Sequence, residues 1–175
     1  MLILGSKSPR RKEILSSVGI DFKVIVKEVE EDIVCDNYLD YPILTAIKKA
    51  DALLDEIDKD DILLCCDTIV YAKGEILGKP HNKEEAFQMV KKISGDSHYV
   101  VTGVFLGNKE KQLKYSVSTK VNVSKMSDEE IYAYVDLFYG IMKRQSLKKN
   151  LWSFTKYGKR PGKSFPLLKI SLAIW

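Results

Sequence analysis

Apolar and polar positions alternate with two distinct periods along the first 136 residues, and the periods predict a chain of alternating strands and helices. Leu2-Ile3-Leu4 reads as a short strand running into Gly5-Ser6-Lys7-Ser8-Pro9-Arg10-Arg11. Ser8 is placed to cap a helix with Pro9 in its first position, and Ile14, Leu15 and Val18 then recur at helical spacing before Gly19. Phe22 to Val26 alternates and predicts a second strand. Ile43 to Ile57 predicts an amphipathic helix, with Ile43, Ile47, Ala50 and Leu54 on one face. Ile62 to Cys66 reads as a strand buried on both faces, interrupted by Asp67-Thr68, resumed at Ile69-Val70-Tyr71, turned at Ala72 to Glu75 and returned by Ile76-Leu77. Asn82 is placed to cap a helix that reaches Ile93 and stops at Ser94-Gly95. His98 to Leu106 and Lys114 to Val123 are long strands joined by a polar turn, and Ser127-Asp128-Glu129-Glu130 is a capping box opening a last helix. The order of elements predicts an α/β fold with a mixed sheet.

Composition changes this picture only in part. A chain of 175 residues, 45% hydrophobic and 30% charged, fits one globular domain of ordinary size. No apolar run approaches the ~20 residues of a membrane span, so no membrane role is expected. Cys35, Cys65 and Cys66 are an odd set with two adjacent members, which argues for a cytoplasmic protein without disulfides. Charge is uneven: all 24 acidic residues precede residue 137, whereas residues 137–175 are basic and acid-free.

Three features carry chemistry. Asp67 is a lone carboxylate in an apolar strand, costly to bury without a cation or metal beside it. The Gly5 to Arg11 turn sets a helix N-terminus beside two arginines, where exposed N–H groups and the dipole favour an anion such as phosphate; two solvated surface arginines are the plain alternative. The acidic run Glu28 to Asp32 either is a solvated loop or supplies a carboxylate to hold a metal there. His81 and His98 are too few for a metal site, and His98 reads as a structural residue at a strand end.

Three blocks carry a family resemblance. Leu2 to Leu15 (LILGSKSPRRKEIL), Cys66 to Val70 with Gly78-Lys79-Pro80, and Ile93 to Val104 (ISGDSHYVVTGV) resemble, in order and spacing, the signatures of the Maf family of nucleoside triphosphate pyrophosphatases. The resemblance covers roughly the first 136 residues. It implies an α/β fold shared with the inosine triphosphate pyrophosphatases: a mixed, elongated sheet flanked by helices, with a nucleotide cleft between two lobes. It implies hydrolysis of a nucleoside triphosphate to the monophosphate and pyrophosphate with a divalent metal, Mg or Mn, and leans to dTTP or UTP. By matching position, Asp67 would be the proton acceptor and, with Glu31, would associate with the metal, Glu30 being the neighbouring choice. Ser6, Arg10, Arg11 and Lys79 would bind the triphosphate, Lys49 would belong to the substrate site, and Thr68 with Arg10 would tune base preference. Homodimers are common in that fold.

From about residue 137 the resemblance stops where the acids stop. A frame shift accounts for both, with a catalytically impaired nucleotide binder, tied to the division-arrest role linked to the family, as one consequence. A basic tail for nucleic acid, with Trp152, Phe154 and Tyr157 among its cations, is the less favoured alternative.

Overall fold

The computed structural model describes residues 1–145, with side chains through Leu137; residues 146–175, on which the nucleic-acid reading and all but the start of the frame-shift reading fall, lie outside the described residues. The elements are β1 (Leu2–Leu4), α1 (Pro9–Ser17), β2 (Phe22–Val24), α2 (Tyr41–Asp51), β3 (Ile62–Ala72), β4 (Glu75–Leu77), α3 (Lys83–Ile93), β5 (Ser97–Gly107), β6 (Gln112–Asn122) and α4 (Asp128–Gln145). Six strands form one mixed sheet in the order β2-β1-β3-β5-β6, with β4 paired to β3. The β1 strand runs parallel to both β2 and β3, and β3 and β4 are antiparallel.

The chain divides into two compact units, residues 1–69 with 100–119 and residues 70–99 with the described residues from 120 onward. In the first, Ile3 of β1, Leu63 and Cys65 of β3 and Phe105 of β5 pack under Ala46, Ala50, Leu53 and Leu54. Two glycines allow this closeness. A Cβ on Gly103 would lie 2.2 Å from the Ile43 nitrogen and 2.3 Å from the Pro42 carbonyl carbon, so the start of α2 rests directly on β5. A Cβ on Gly5 would lie 2.3 Å from Cys65 Sγ.

The second unit is built on α3 and α4. Asn82 caps α3 by accepting from the Glu85 N–H at 2.8 Å. The expected capping box opens α4: the Ser127 N–H bonds Glu130 Oε2 at 2.9 Å, and the Glu130 N–H bonds Ser127 Oγ at 3.3 Å. Phe87 of α3 stacks on Tyr132 of α4 with ring centroids 4.2 Å apart. Lys73 and Gly74, at φ 50° and 88°, make the two-residue hairpin between β3 and β4.

Three local expectations differ from the structure. The α2 helix starts two residues earlier than the apolar pattern indicates and ends at Asp51, because the ladder tightens where the Leu53 N–H bonds the Ala50 carbonyl; Leu53 and Leu54 are buried from the following turn. The β2 strand stops at Val24, level with the end of its partner β1 at Leu4. In α1 only Leu15 reaches the core, while Ile14 and Val18 are 57% and 64% exposed.

Candidate functional site

The site forms where β1 runs out. Pairing of β1 with β3 ends at Leu4 opposite Leu64, with one more bond from the Gly5 N–H to the Leu64 carbonyl. From Cys65 onward β3 lies beyond the reach of β1, and the turn after β1 brings Ser6 and α1 alongside instead. The strand is continuous through Asp67, so the carboxylate does not break it as its polarity suggested.

Asp67 is held by Lys49 of α2, whose Nζ lies 2.8 Å from Asp67 Oδ1. The same ammonium lies 2.7 Å from Glu31 Oε1, so one lysine bridges the two carboxylates that the sequence analysis associates with a metal. The Asp67 side chain is 14% exposed and that of Glu31 is 51% exposed. Burial pushes the Asp67 carboxyl above its ordinary range, and the bond from Lys49 only partly opposes this. Lys49 is shifted upward too: burial, its largest single influence, would lower it, but its bonds to Asp67 and Glu31 together outweigh that. The pair is therefore asymmetric, with an ammonium shared between two acids and a part-buried carboxylate holding only a share of one cation.

The acidic loop is tied to α2 at more than one point. The Tyr41 hydroxyl donates to the Glu31 carbonyl at 3.1 Å, and Lys48 pairs with Asp32. Glu31, rather than its neighbour Glu30, is the residue that meets Lys49.

Arg11 links α1 to the same stretch of β3. Its Nη1 donates to Ser6 Oγ at 3.0 Å and to the Cys66 carbonyl at 2.8 Å, and its Nη2 donates to Thr68 Oγ1 at 3.4 Å. Ser6 is buried, and its Oγ also accepts from the Ser8 N–H at 3.2 Å. Ser8 takes the N-cap position with φ −60° and ψ 118°, but its side chain makes no capping bond, and no acid lies in the first turn of α1. The first N–H groups of the helix keep their capacity for an anion. Arg10 is half-buried there, and its guanidinium is shifted downward by burial and by the charge of Arg11. An incoming anion would relieve both strains.

The structure thus brings these residues into two bonded sets that meet at adjacent residues of β3, Ser6–Arg11–Thr68 and Glu31–Lys49–Asp67, with Arg10 beside Arg11. Lys79 belongs to the second unit, exposed in the loop between β4 and α3. His98 is buried on β5, where burial lowers its affinity for a proton, and its ring nitrogens have no hydrogen-bond partner among the described residues. Two participants escaped the sequence reading. Tyr41 precedes the apolar repeat of its helix and carries no signal of its own. Thr102, 3.0 Å from Thr68 through their hydroxyls, registered only as a polar break in a strand.

No group of three or more His, Cys, Asp or Glu side chains is placed to hold a metal among the described residues. Glu31 and Asp67 together nevertheless suit a hard cation, because Mg²⁺ commonly takes one or two carboxylates and completes its shell with waters and substrate phosphates. No helix among the described residues is long and apolar enough to cross a membrane.

Known proteins agree with this architecture. The Maf-like protein family model matches residues 1–144. A dTTP/UTP pyrophosphatase of Phocaeicola vulgatus is 37% identical over 153 residues, 86% of this chain and 79% of that protein. A dTTP/UTP pyrophosphatase of Bacillus anthracis is 44% identical over 135 residues, 77% of this chain and 70% of that one. The solved structure of the Staphylococcus aureus Ham1 protein shares the fold, with a TM-score of 0.51 at 13% identity over 73% of this chain and 72% of that chain. The fold, the three ordered blocks and the extent of these matches agree, and the chain belongs to the Maf family.

Proposed function

We propose that this chain is a nucleoside triphosphate pyrophosphatase that hydrolyses dTTP or UTP to the monophosphate and pyrophosphate. The observation that carries the reading is the geometry around Asp67: a carboxylate only 14% exposed on β3, beside an arginine-bearing helix N-terminus. The relatives named for that activity support it. Asp67 accepts a proton from water as the water oxygen attacks the α-phosphorus, and pyrophosphate leaves with the electron pair of the broken anhydride bond. A triphosphate carries about four negative charges, which must be offset before another oxyanion can approach. Arg10, the uncapped start of α1 and Arg11 supply that charge. Lys49 keeps the Asp67 carboxylate ionised and oriented. Glu31 and Asp67 would hold Mg²⁺ or Mn²⁺, which supplies Lewis-acid neutralisation of the phosphates when bound. The free cysteines Cys35, Cys65 and Cys66 suit a cytoplasmic setting.

The test is pyrophosphate release from dTTP, UTP, CTP, dITP and XTP with Mg²⁺ or Mn²⁺, wild type beside Asp67→Asn. Turnover of dTTP and UTP that falls about 10²–10⁴-fold in the variant, with its circular dichroism unchanged, is the expected result. No turnover of any nucleotide by folded wild type overturns the proposal. The frame-shift origin of the residues after 137 is a separate proposal, which resequencing of the gene decides: the same reading frame in independent isolates would refute it.

A further inference from the structure

Glu31 lies on a stretch without regular structure between β2 and α2, and its side chain is half-exposed, so packing alone does not hold it. Three ion pairs fasten that stretch: Lys7 with Glu28 at 3.0 Å, Lys49 with Glu31 at 2.7 Å, and Lys48 with Asp32. The Lys7 and Lys48 pairs are exposed, so salt screens them, and the Lys49 ammonium is shared with Asp67. The bond from the Tyr41 hydroxyl to the Glu31 carbonyl at 3.1 Å is different in kind. It is neutral, and its direction is settled because a carbonyl oxygen can only accept. Peptide units are planar, so this bond fixes the plane that follows Glu31 whichever rotamer the carboxylate takes. Tyr41 is itself firmly founded. It is the first residue of α2, the Pro42 and Ile43 backbone after it rests on Gly103 of β5, and the buried Thr45 hydroxyl donates to its carbonyl at 2.9 Å. Lys49 lies about two turns further along the same helix face. One helix therefore grips Glu31 twice, by its main chain through Tyr41 and by its carboxylate through Lys49.

We infer that Tyr41 is a positioning residue, whose hydroxyl holds the main chain of Glu31 so that the Glu31 carboxylate stays beside Asp67, where the two can take a divalent cation. This rests on the metal-assisted reading proposed above. Groups that orient a metal-binding side chain commonly contribute 10–100-fold to metal affinity. The plain alternative is a tyrosine that only ties a loop to a helix. The two differ in their dependence on Glu31. A positioning role has no effect on cation affinity once residue 31 is no longer a carboxylate, whereas simple support of the loop acts whatever residue 31 carries.

The measurement is Mn²⁺ binding to the full chain, read by electron paramagnetic resonance with the non-hydrolysable α,β-imido analogue of UTP present. Wild type is compared with Tyr41→Phe, Glu31→Gln and the double variant, and urea denaturation shows that each is folded; Tyr41→Phe removes one oxygen and keeps the ring. We expect Tyr41→Phe to weaken Mn²⁺ about tenfold in the wild-type background and less than about twofold in the Glu31→Gln background. The Mn²⁺ concentration for half-maximal turnover should rise by the same factor, with kcat at saturating Mn²⁺ within about threefold of wild type. Unchanged Mn²⁺ affinity in Tyr41→Phe, or the same loss in both backgrounds, overturns the role. So does Mn²⁺ affinity unaffected by Glu31→Gln, and nucleotide turnover by that protein would leave the pyrophosphatase reading standing. The expected Mn²⁺ pattern in a chain that hydrolyses no nucleotide upholds Tyr41 and overturns the activity. Wild type that holds no Mn²⁺ beyond that bound by the analogue alone overturns both the role and the metal-assisted reading.

Discussion

Lys49 and Asp67 are 18 positions apart in sequence, and their charged groups meet at 2.8 Å with 19% and 14% of their side chains exposed. The contact is possible because α2 lies directly over β3 and β5, and it sets the charge of the proposed base. Its consequences can be measured in several independent ways.

Removing the lysine and removing the aspartate should not be equivalent. Lys49→Met leaves a buried carboxylate without its cation, whereas Asp67→Asn leaves the ammonium with Glu31. The first is expected to cost about 3 kcal/mol near neutral pH, the low end for breaking a buried pair, and the second clearly less. The pH dependence has a definite sign. Asp67 titrates above its unfolded value, so its ionisation opposes folding as pH rises through that window, and without Lys49 the opposition grows. Lys49→Met should therefore recover stability on acidification more than wild type does, and the acid limb of its residual kcat/KM should move to higher pH. Urea denaturation at several pH values and a pH–rate profile test this; an acid limb moving to lower pH contradicts it.

Gly103→Ala should damage the fold although the change is a single methyl. Its Cβ would meet backbone atoms of Pro42 and Ile43, which cannot rotate away as a side chain could. We expect a loss of at least about 3 kcal/mol, a fall in melting temperature of about 6–12 °C, and lower activity because α2 carries Lys49. Thermal melting followed by circular dichroism measures it, and a melting temperature within a degree of wild type would show that the helix start is not pressed against β5.

The cysteines should differ sharply in reactivity. Burial pushes the Cys65 thiol up to about 12 and raises Cys66 as well, while Cys35 is half-exposed. At pH 8 a thiol at that value is ionised in only about one molecule in ten thousand. Iodoacetamide on the native protein should add one group, at Cys35, and on the unfolded protein three. Peptide mass spectrometry reads this directly, and native labelling at Cys65 would contradict the packing of Gly5 against its sulfur.

Much of the fold follows from local rules that act within a few residues. Asn82 and the Ser127–Glu130 box start α3 and α4 as their sequence indicates, because a cap needs only its own side chain and the next three N–H groups. The β3–β4 hairpin is equally local, since Lys73 and Gly74 supply the positive φ that the turn requires. Element ends were less legible where a neighbour decides them: β2 stops at Val24 because β1 offers no partner beyond Leu4, and the apolar Ile14 and Val18 stay exposed because nothing in the described residues covers that face of α1.

The site divides along the same line. The sequence by itself determined that Asp67 would need a cation, that the Ser6 to Arg11 turn would open a helix toward an anion, and which family's ordered blocks the chain carries. Only the tertiary structure decided that the cation is Lys49 shared with Glu31, that Arg11 spans Ser6, the Cys66 carbonyl and Thr68, and that Thr102 joins them. The physical reason is range. Periodicity, capping and turn chemistry are settled by residues within one turn of one another, whereas a bond between residue 49 and residue 67, or 68 and 102, exists only after helix and strands have packed at a distance that two glycines permit.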